Sequence, residues 1–207
     1  MSFTFEPESR TPLENYEWDN TWLEQSHRSD LPRILYIGDS ISCGIRQRIT
    51  KRSGERCLVD GFGSSKGIDN AALAPMIALF ASQESRRDAI LLNNGLHGWH
   101  LEDGEEYPRH YAALVDFLRK TAPKTPLYLV LSTHTVNEQS HSRVRKRNEG
   151  VLAIAERYGL PVIDLYTLSC EQADLHCPPP DGVHFKPEGY DIFADFILAR
   201  LTADGLI

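Results

Sequence analysis

The sequence of 207 residues contains few cysteines, and their spacing is irregular. Four cysteines in a chain of this length do not make a disulfide framework. We therefore predict free thiols that mainly serve in packing. One alternative stays open for an exported protein: a Cys170–Cys177 disulfide would brace the segment before Asp181. The other two cysteines are Cys43 and Cys57.

The sequence also lacks a secretory signal and a long apolar run. Its first residues, MSFTFEPESR, have neither the basic start nor the apolar stretch of a signal peptide. No window approaches the eighteen apolar residues of a membrane-spanning helix. We expect a cytoplasmic protein without membrane insertion. A chain trimmed of its signal would show the same pattern, so export stays open.

Basic residues are outnumbered: 22 Lys and Arg stand against 29 Asp and Glu, for a net charge of −7. This balance argues against nucleic acid or an anionic membrane as the main partner and fits small neutral or cationic substrates. The one strongly positive patch is R-V-R-K-R at 143–147. On a helix its charges spread around the axis, so we expect a solvated face, with contact to an anionic substrate or partner as the weaker alternative.

Short apolar runs alternate with longer segments of helical spacing. The runs have strand length and composition and lie at 33–37, 57–59, 89–93, 127–132 and 161–165. The helical segments are 43–52, 69–85, 105–121, 141–158 and 187–203. Repeated βα units with right-handed crossovers place helices on both faces of a parallel sheet. We therefore predict an α/β fold: a three-layer α/β/α sandwich, flavodoxin-like, with a five-stranded and mostly parallel sheet.

Residues 1–32 precede this pattern and are polar and acidic, but they carry several aromatic side chains. We predict an N-terminal arm that packs on the surface of the domain, with a short helix at 14–26. No composition shift or linker divides the rest of the chain. Residues 33–207 are therefore predicted to form a single domain.

The motif Gly-Asp-Ser at 38–40 directly follows the first predicted strand and enters a helical segment. In a doubly wound fold this position exposes a side chain, and the N–H groups at a helix start can stabilise an oxyanion. Ser40 is therefore a candidate nucleophile that also offers its backbone N–H. The motif taken alone is equally well explained as a turn with a helix cap.

A candidate base lies near the other end of the chain, in P-D-G-V-H at 180–184. Asp181 and His184 are close enough in sequence for the carboxylate to hold one ring nitrogen while the other faces a serine hydroxyl. Such an orienting carboxylate selects the tautomer and stabilises the imidazolium that forms when the serine loses its proton. An isolated D-x-x-H would be read as a surface turn, but its pairing with Ser40 favours catalysis.

With G-D-S-I at 38–41 and D-x-x-H at 181–184, the chain resembles the SGNH hydrolases, also called the GDSL esterase and lipase family. The resemblance extends from about residue 33 to residue 203. It implies that 33–207 is a catalytic domain in which Ser40 is the nucleophile, His184 the general base and then acid, and Asp181 the residue that orients His184.

The resemblance also implies further donors to the oxyanion. The family's second motif supplies a glycine N–H; counting from the strand end places Ser65 there, and a slip of two places Gly63 there. Its third motif, G-x-N-D, supplies an asparagine side chain, and here the segment reads N-N-G-L-H-G-W-H at 93–100. Gly95 matches the glycine, so register favours His97 as the donor, with Asn94 as the alternative.

Trp99 and His100 follow the third strand and are predicted to line the substrate pocket, although Trp99 is almost as well explained as a core residue. The spacing H-x-x-H at 97–100, together with His176, Cys177 and His184, is weak as a zinc pattern because two glycines break the segment. We predict no metal and no cofactor.

The resemblance implies a serine esterase that hydrolyses a small carboxylic ester through an acyl-enzyme. Acetyl or short-acyl groups on carbohydrate are the first expectation, because the family often removes acetyl from sugars and no long apolar lid segment is visible. Two alternatives stay open: a lysophospholipase or thioesterase-type acyl hydrolase, and a catalytically weak binding protein on the same fold.

Overall fold

A computed structural model of the protein describes residues 12–84, 86–101 and 105–207. Its strands form one six-stranded sheet in the order β1-β3-β2-β4-β5-β6. The strands are β1 (Asp19–Trp22), β2 (Arg33–Gly38), β3 (Leu58–Ser64), β4 (Ala89–Leu92), β5 (Leu127–Val130) and β6 (Val162–Ile163). All neighbouring pairs are parallel except β1 with β3. Strand β2 is buried at every position, as expected for a central strand covered on both faces.

Helices cover both faces of the sheet. They are α1 (Ser40–Arg52), α2 (Leu73–Ala81), α3 (Glu106–Thr121), α4 (Glu138–Tyr158), α5 (Leu165–Glu171) and α6 (Pro187–Ala203), with a 3₁₀ turn at Ala173–Leu175. One core joins α1 and α6 to the sheet, through residues such as Ile45 and Phe193. The other joins α2 and α3, through residues such as Ile77 and Tyr111. The predicted α/β fold is confirmed, with six strands in place of five.

The sixth strand, β1, lies in the segment where the sequence pattern predicted a helix at 14–26. It runs antiparallel to β3, with Asp19 opposite Ser64 and Trp22 opposite Gly61. All four of its residues are exposed, so no apolar alternation marks it as a strand. Its extended backbone is set by pairing with the edge of β3, which local sequence does not reveal. The part of the predicted arm at 1–11 lies outside the described residues.

A buried ion pair anchors the chain that follows β1. Arg33 contacts Asp60 at 2.7 Å, and both side chains are almost fully buried. The Arg33 guanidinium also donates to the carbonyl oxygens of Glu24 and Arg28. Asp60 accepts the backbone N–H of Glu24 at 2.9 Å. This segment is therefore fastened to β2 and β3 by buried charged groups.

Several of the remaining bounds also differ from the predictions. The predicted strand 57–59 extends to Ser64 through the sequence GFG, in which a Cβ at Gly63 would collide with Cys43 of α1. These glycines let α1 lie close to β3. The helix predicted at 69–85 occupies only Leu73–Ala81, whereas the last helix begins at Pro187 as predicted. Within the described ranges, no helix is both long and apolar enough to cross a membrane.

Candidate active site

Ser40 lies at the carboxyl end of β2 and is the first residue of α1. Asp39 caps this helix: its Oδ1 accepts the backbone N–H of Ile41 at 2.9 Å, and its carbonyl accepts the Ser42 hydroxyl at 2.7 Å. Burial raises the pKa of the Asp39 carboxyl, against the opposing influence of the imidazoles of His97 and His184. The segment is thus a helix cap that also presents a serine at the end of the sheet.

His184 joins Ser40 to Asp181. Its Nε2 lies 2.8 Å from the Ser40 hydroxyl oxygen, and its Nδ1 lies 3.0 Å from Asp181 Oδ2. A carboxylate at Nδ1 holds the proton there, which leaves Nε2 free to accept the serine proton. Burial raises the pKa of Asp181, but hydrogen bonds from the backbone and side chain of His184 and from the backbone of Val183 outweigh it and lower the pKa to about 2. The carboxylate is therefore ionised at neutral pH.

The loop that carries this pair is shaped by Asp181 itself. Its Oδ1 accepts the backbone N–H groups of Val183 and His184 at 2.9 and 2.8 Å. Gly182 between them has φ of +60°, a left-handed conformation that side chains disfavour. The His184 carbonyl accepts the N–H of Cys177 at 2.8 Å, which ties the loop to the preceding segment. The D-G-V-H sequence therefore encodes the geometry as well as the chemical groups.

A cavity of about 270 Å³ opens beside Ser40. Its walls come from the N-terminal segment, the loops after β4 and β5, and the loop before α6. The lining residues are Glu14, Ser40, Leu96, His97, Trp99, Thr135, Asp181, Val183 and His184. The candidate nucleophile and base therefore open onto a space that takes a small molecule.

The two predicted donors at the end of β3 do not line this cavity. The Ser65 N–H donates to the carbonyl of Trp18 at 3.1 Å, and the Ser65 hydroxyl accepts the N–H of Trp18 at 2.8 Å. Gly63 lies within β3, between Asn20 of β1 and Gly38 of β2. Ser65 thus holds the N-terminal segment, and its N–H is not available to an oxyanion.

Of the two side-chain candidates after β4, the structure brings only His97 to the cavity. Asn94 is buried, and its amide nitrogen donates to the carbonyl of Lys66 at 3.1 Å. His97 lines the cavity, and its Nδ1 lies 2.9 Å from Glu14 Oε2. The sequence reasoning missed Glu14, because nothing in the pattern of the N-terminal segment links it to a residue so distant in sequence.

Trp99 lies at the cavity, whereas the neighbouring residue His100 does not. Trp99 lines the cavity, and 42% of it is exposed. The Arg143 guanidinium carbon lies 4.4 Å from the centre of its ring. His100 does not line the cavity, and its Nε2 instead lies 2.8 Å from Asp69 Oδ2. The predicted placement at a pocket therefore holds for Trp99, whereas His100 fastens its loop to the loop after β3.

Arg147 is the second residue of the site that sequence reasoning missed. Its Nη1 donates to the carbonyls of Gly95 and His97 at 3.0 and 2.6 Å, and its Nη2 donates to those of Gly98 and Leu101 at 2.7 and 3.2 Å. The expectation that R-V-R-K-R forms only a solvated face is therefore wrong for this residue. Arg147 is buried where its guanidinium supplies donors to the carbonyls of the 95–101 loop.

The residues of the weak zinc pattern have other partners. His97 and His100 pair with carboxylates from different segments, and His176 lies 2.9 Å from His134. Among the described residues, no group of three or more His, Cys, Asp or Glu side chains is arranged to hold a metal ion. All four cysteines are free thiols.

A serine hydroxyl in contact with an imidazole that a carboxylate orients, at the carboxyl end of a parallel strand, is the arrangement found in serine hydrolases of α/β folds. The family model of the GDSL-like Lipase/Acylhydrolase family matches residues 36–192 of the chain. The chain therefore belongs to this family, as its resemblance to the SGNH hydrolases implied, and it is an ester-hydrolysing enzyme. A comparison with curated protein sequences gives no significant match.

Solved structures of other proteins share the fold. A member of the lipolytic protein G-D-S-L family from Veillonella parvula is 21% identical, with a TM-score of 0.67 over 82% of this chain and 98% of that chain. The C-terminal catalytic domain of peptidoglycan O-acetyltransferase A from Streptococcus pneumoniae is 16% identical, with a TM-score of 0.65 over 84% and 95%. An acetyl xylan esterase is 19% identical, with a TM-score of 0.60 over 82% and 99%.

Proposed function

We propose that this acylhydrolase is a serine esterase that releases short acyl groups, acetyl first, from carbohydrate through an acyl-enzyme at Ser40. The observation that carries the proposal is the chain of contacts from Ser40 to His184 and Asp181, at 2.8 and 3.0 Å. A binding protein has no chemical need for a serine whose proton has an acceptor already in place.

The chemistry follows from these contacts. His184 Nε2 takes the Ser40 proton as the hydroxyl oxygen attacks the ester carbonyl, and the imidazolium then gives that proton to the departing alcohol as the C–O bond breaks. A water molecule attacks the acyl-enzyme with His184 again as the base, and the acid leaves as Ser40 regains its proton. Asp181 stays ionised throughout and stabilises the imidazolium.

Two groups are proposed to stabilise the oxyanion. Ser40 is the first residue of α1, so its backbone N–H has no acceptor within the helix and lies at the positive end of the helix dipole. The His97 side chain faces the same cavity. The Ser65 N–H has no part in this proposal because it already donates to Trp18.

The cavity and the similar structures favour a short acyl group on carbohydrate as the substrate. A volume of about 270 Å³ lies just below the usual range for ligand pockets and suits a short acyl group better than a long chain. Trp99 offers an aromatic surface at the cavity, of the kind that packs against the apolar face of a sugar ring. The similar structures include an acetyl xylan esterase and a peptidoglycan O-acetyltransferase domain, and these support acetylated carbohydrate as the first class to test.

The test compares Ser40→Ala with wild type on p-nitrophenyl acetate and on esters of increasing chain length. We expect Ser40→Ala to lose about 10³-fold or more of kcat. Ser42→Ala is the matched control, because this neighbouring serine bonds the Asp39 carbonyl and does not line the cavity. A fluorophosphonate probe should label wild type and not Ser40→Ala.

Acetylated xylo-oligosaccharides then test the substrate class. Under the proposal they are deacetylated, and rates on p-nitrophenyl esters fall from butyrate to octanoate. A preference for lysophospholipid or for acyl thioesters would refute carbohydrate as the substrate. Labelling by the probe without turnover of any ester would favour a catalytically weak binding protein.

A further inference from the structure

Glu14 reaches the cavity from the N-terminal segment, 83 positions before the residue that it contacts there. Its Oε2 lies 2.9 Å from His97 Nδ1, and its Oε1 accepts the backbone N–H of Gly98 at 2.9 Å. The side chain is only 18% exposed. Resting on the function proposed above, we infer that Glu14 is a positioning residue that holds His97 as an imidazolium, so that the Nε2–H of His97 donates to the oxyanion.

The proton on Nδ1 decides which form of the His97 ring can donate to an oxyanion. A carboxylate oxygen accepts and does not donate, so the contact between Glu14 and His97 requires a proton on Nδ1. A neutral ring with that proton presents a lone pair at Nε2, which would repel an oxyanion. Only the doubly protonated ring carries a second N–H, and a neighbouring carboxylate favours that charged form. An asparagine amide would supply an N–H without charge; a histidine in this place needs a counter-ion.

The structure also shows how Glu14 is held. The Glu14 N–H donates to Glu17 Oε1 at 3.1 Å, and Glu17 Oε2 lies 3.4 Å from the Ser65 hydroxyl. Ser65 in turn bonds both backbone groups of Trp18. The Trp18 ring packs edge-on against the His97 ring, with centroids 5.9 Å apart. The N-terminal segment is therefore fixed to the end of β3 at the point where it supplies the carboxylate.

Four charged or titratable groups face His97 from different elements. Glu14 lies at Nδ1, the buried Asp39 carboxyl lies nearby before α1, and His184 shares the cavity. The Arg147 guanidinium of α4 bonds the His97 carbonyl and opposes a second positive charge. Turnover then needs a neutral His184 and a protonated His97. We expect a bell-shaped pH profile of kcat/KM whose alkaline limb depends on Glu14.

The experiment measures this profile with p-nitrophenyl acetate in four variants. Glu14→Gln should lower kcat about 10-fold or more and move the alkaline limb to lower pH, because the counter-ion is gone. His97→Asn should lower kcat, because a neutral amide replaces the charged donor, and the activity that remains should have no alkaline limb, since the amide does not titrate. In the His97→Asn background, Glu14→Gln should change kcat less than about 2-fold. Asp69→Asn is the control, because it removes the charge from the neighbouring carboxylate–histidine contact outside the cavity, and it should leave the alkaline limb in place.

A structural role for Glu14 alone predicts other results: equal losses from Glu14→Gln in both backgrounds and an alkaline limb that does not move. Either result overturns the inference. An NMR titration of the His97 ring, with and without Glu14→Gln, tests the same point without turnover, and an unchanged midpoint also overturns it. The proposed function fails separately, when fluorophosphonate does not label Ser40 in wild type.

Discussion

Replacing Arg147 with methionine should destabilise the fold and displace the loop that carries His97 and Trp99. Arg147 lies on helix α4, and its buried guanidinium donates to four carbonyl oxygens of residues 95–101. It also stacks over the Tyr107 ring, with the guanidinium carbon 4.6 Å from the ring centre. Methionine preserves most of the buried volume and removes all of the guanidinium donors, so the four carbonyls lose the guanidinium at once, and the Gly98 carbonyl keeps the N–H of Leu101.

The magnitude follows from two opposing contributions. A hydrogen bond to a charged group contributes about 1.5–3 kcal/mol, so four of them set a lower figure of about 6 kcal/mol. Folding of the wild type pays a cost for burying the Arg147 guanidinium, and the substitution removes that cost, which offsets part of this loss. The burial is reflected in the pKa of Arg147, which lies below its usual value. The net cost expected for removing one partner from a buried charged network is about 3–5 kcal/mol, a large share of the stability of a domain.

Denaturant unfolding followed by tryptophan fluorescence measures this cost. Arg145→Met is the matched control on the exposed side of the same helix and should change the free energy of unfolding by less than about 0.5 kcal/mol. Arg147→Lys should fall between wild type and Arg147→Met, because a single ammonium does not reach four carbonyls in a planar fork. If Arg147→Met costs less than about 1 kcal/mol, the loop is held by something else and the reasoning is wrong.

Two further changes test the site and the packing beneath it. Asp181→Asn should lower kcat about 10²- to 10⁴-fold, through loss of the correct His184 tautomer. The Asp181 pKa of about 2 lies below its unfolded value, so the stability that the carboxylate contributes is present above about pH 4 and lost as pH falls towards 2. Unfolding of wild type and Asp181→Asn across that window should converge at the acid end, and curves that stay parallel would contradict this assignment. Gly63→Ala should cost about 1–3 kcal/mol through collision with Cys43, and Cys43→Ala should recover part of it in a double-mutant cycle, because the next contact is at 3.5 Å. Strictly additive losses would show that Cys43 is not the obstacle.

The central strands could be predicted because strands that are buried on both faces appear in the sequence as continuous apolar runs, as β2 and β4 do. The edge strand β1 could not, because its four residues are exposed and its conformation depends on β3. Helix α2 is shorter than its pattern suggests. Asp69, at the predicted start of this helix, bonds His100, and the helix begins at Leu73. Local pattern failed where a tertiary partner decided the outcome.

The same distinction applies to the candidate site. The positions of Ser40, Asp181 and His184 could be predicted because each lies at a strand end or helix start, and a parallel sheet gathers such points at one edge. Glu14 and Arg147 could not be predicted. Their partners in the 95–101 loop lie 83 and 84 positions away for Glu14 and at least 46 positions away for Arg147. No local signal specifies a contact of that range.

The contacts of Glu14 and Arg147 explain how the 95–101 loop, which contains glycines, is held in place. Residues 95–101 include two glycines, and such a segment does not fix a side chain within the tolerance that catalysis needs. Here Arg147 binds the loop carbonyls from α4, Asp69 holds His100 from the loop after β3, and Glu14 binds both the His97 ring and the Gly98 N–H. Under the oxyanion role proposed for His97, the imidazole that stands in place of the family's asparagine is matched by a carboxylate from a segment outside the matched region, 36–192. The proposed compensation for this change in the third motif is therefore the contact that Glu14 of the folded N-terminal segment makes with His97.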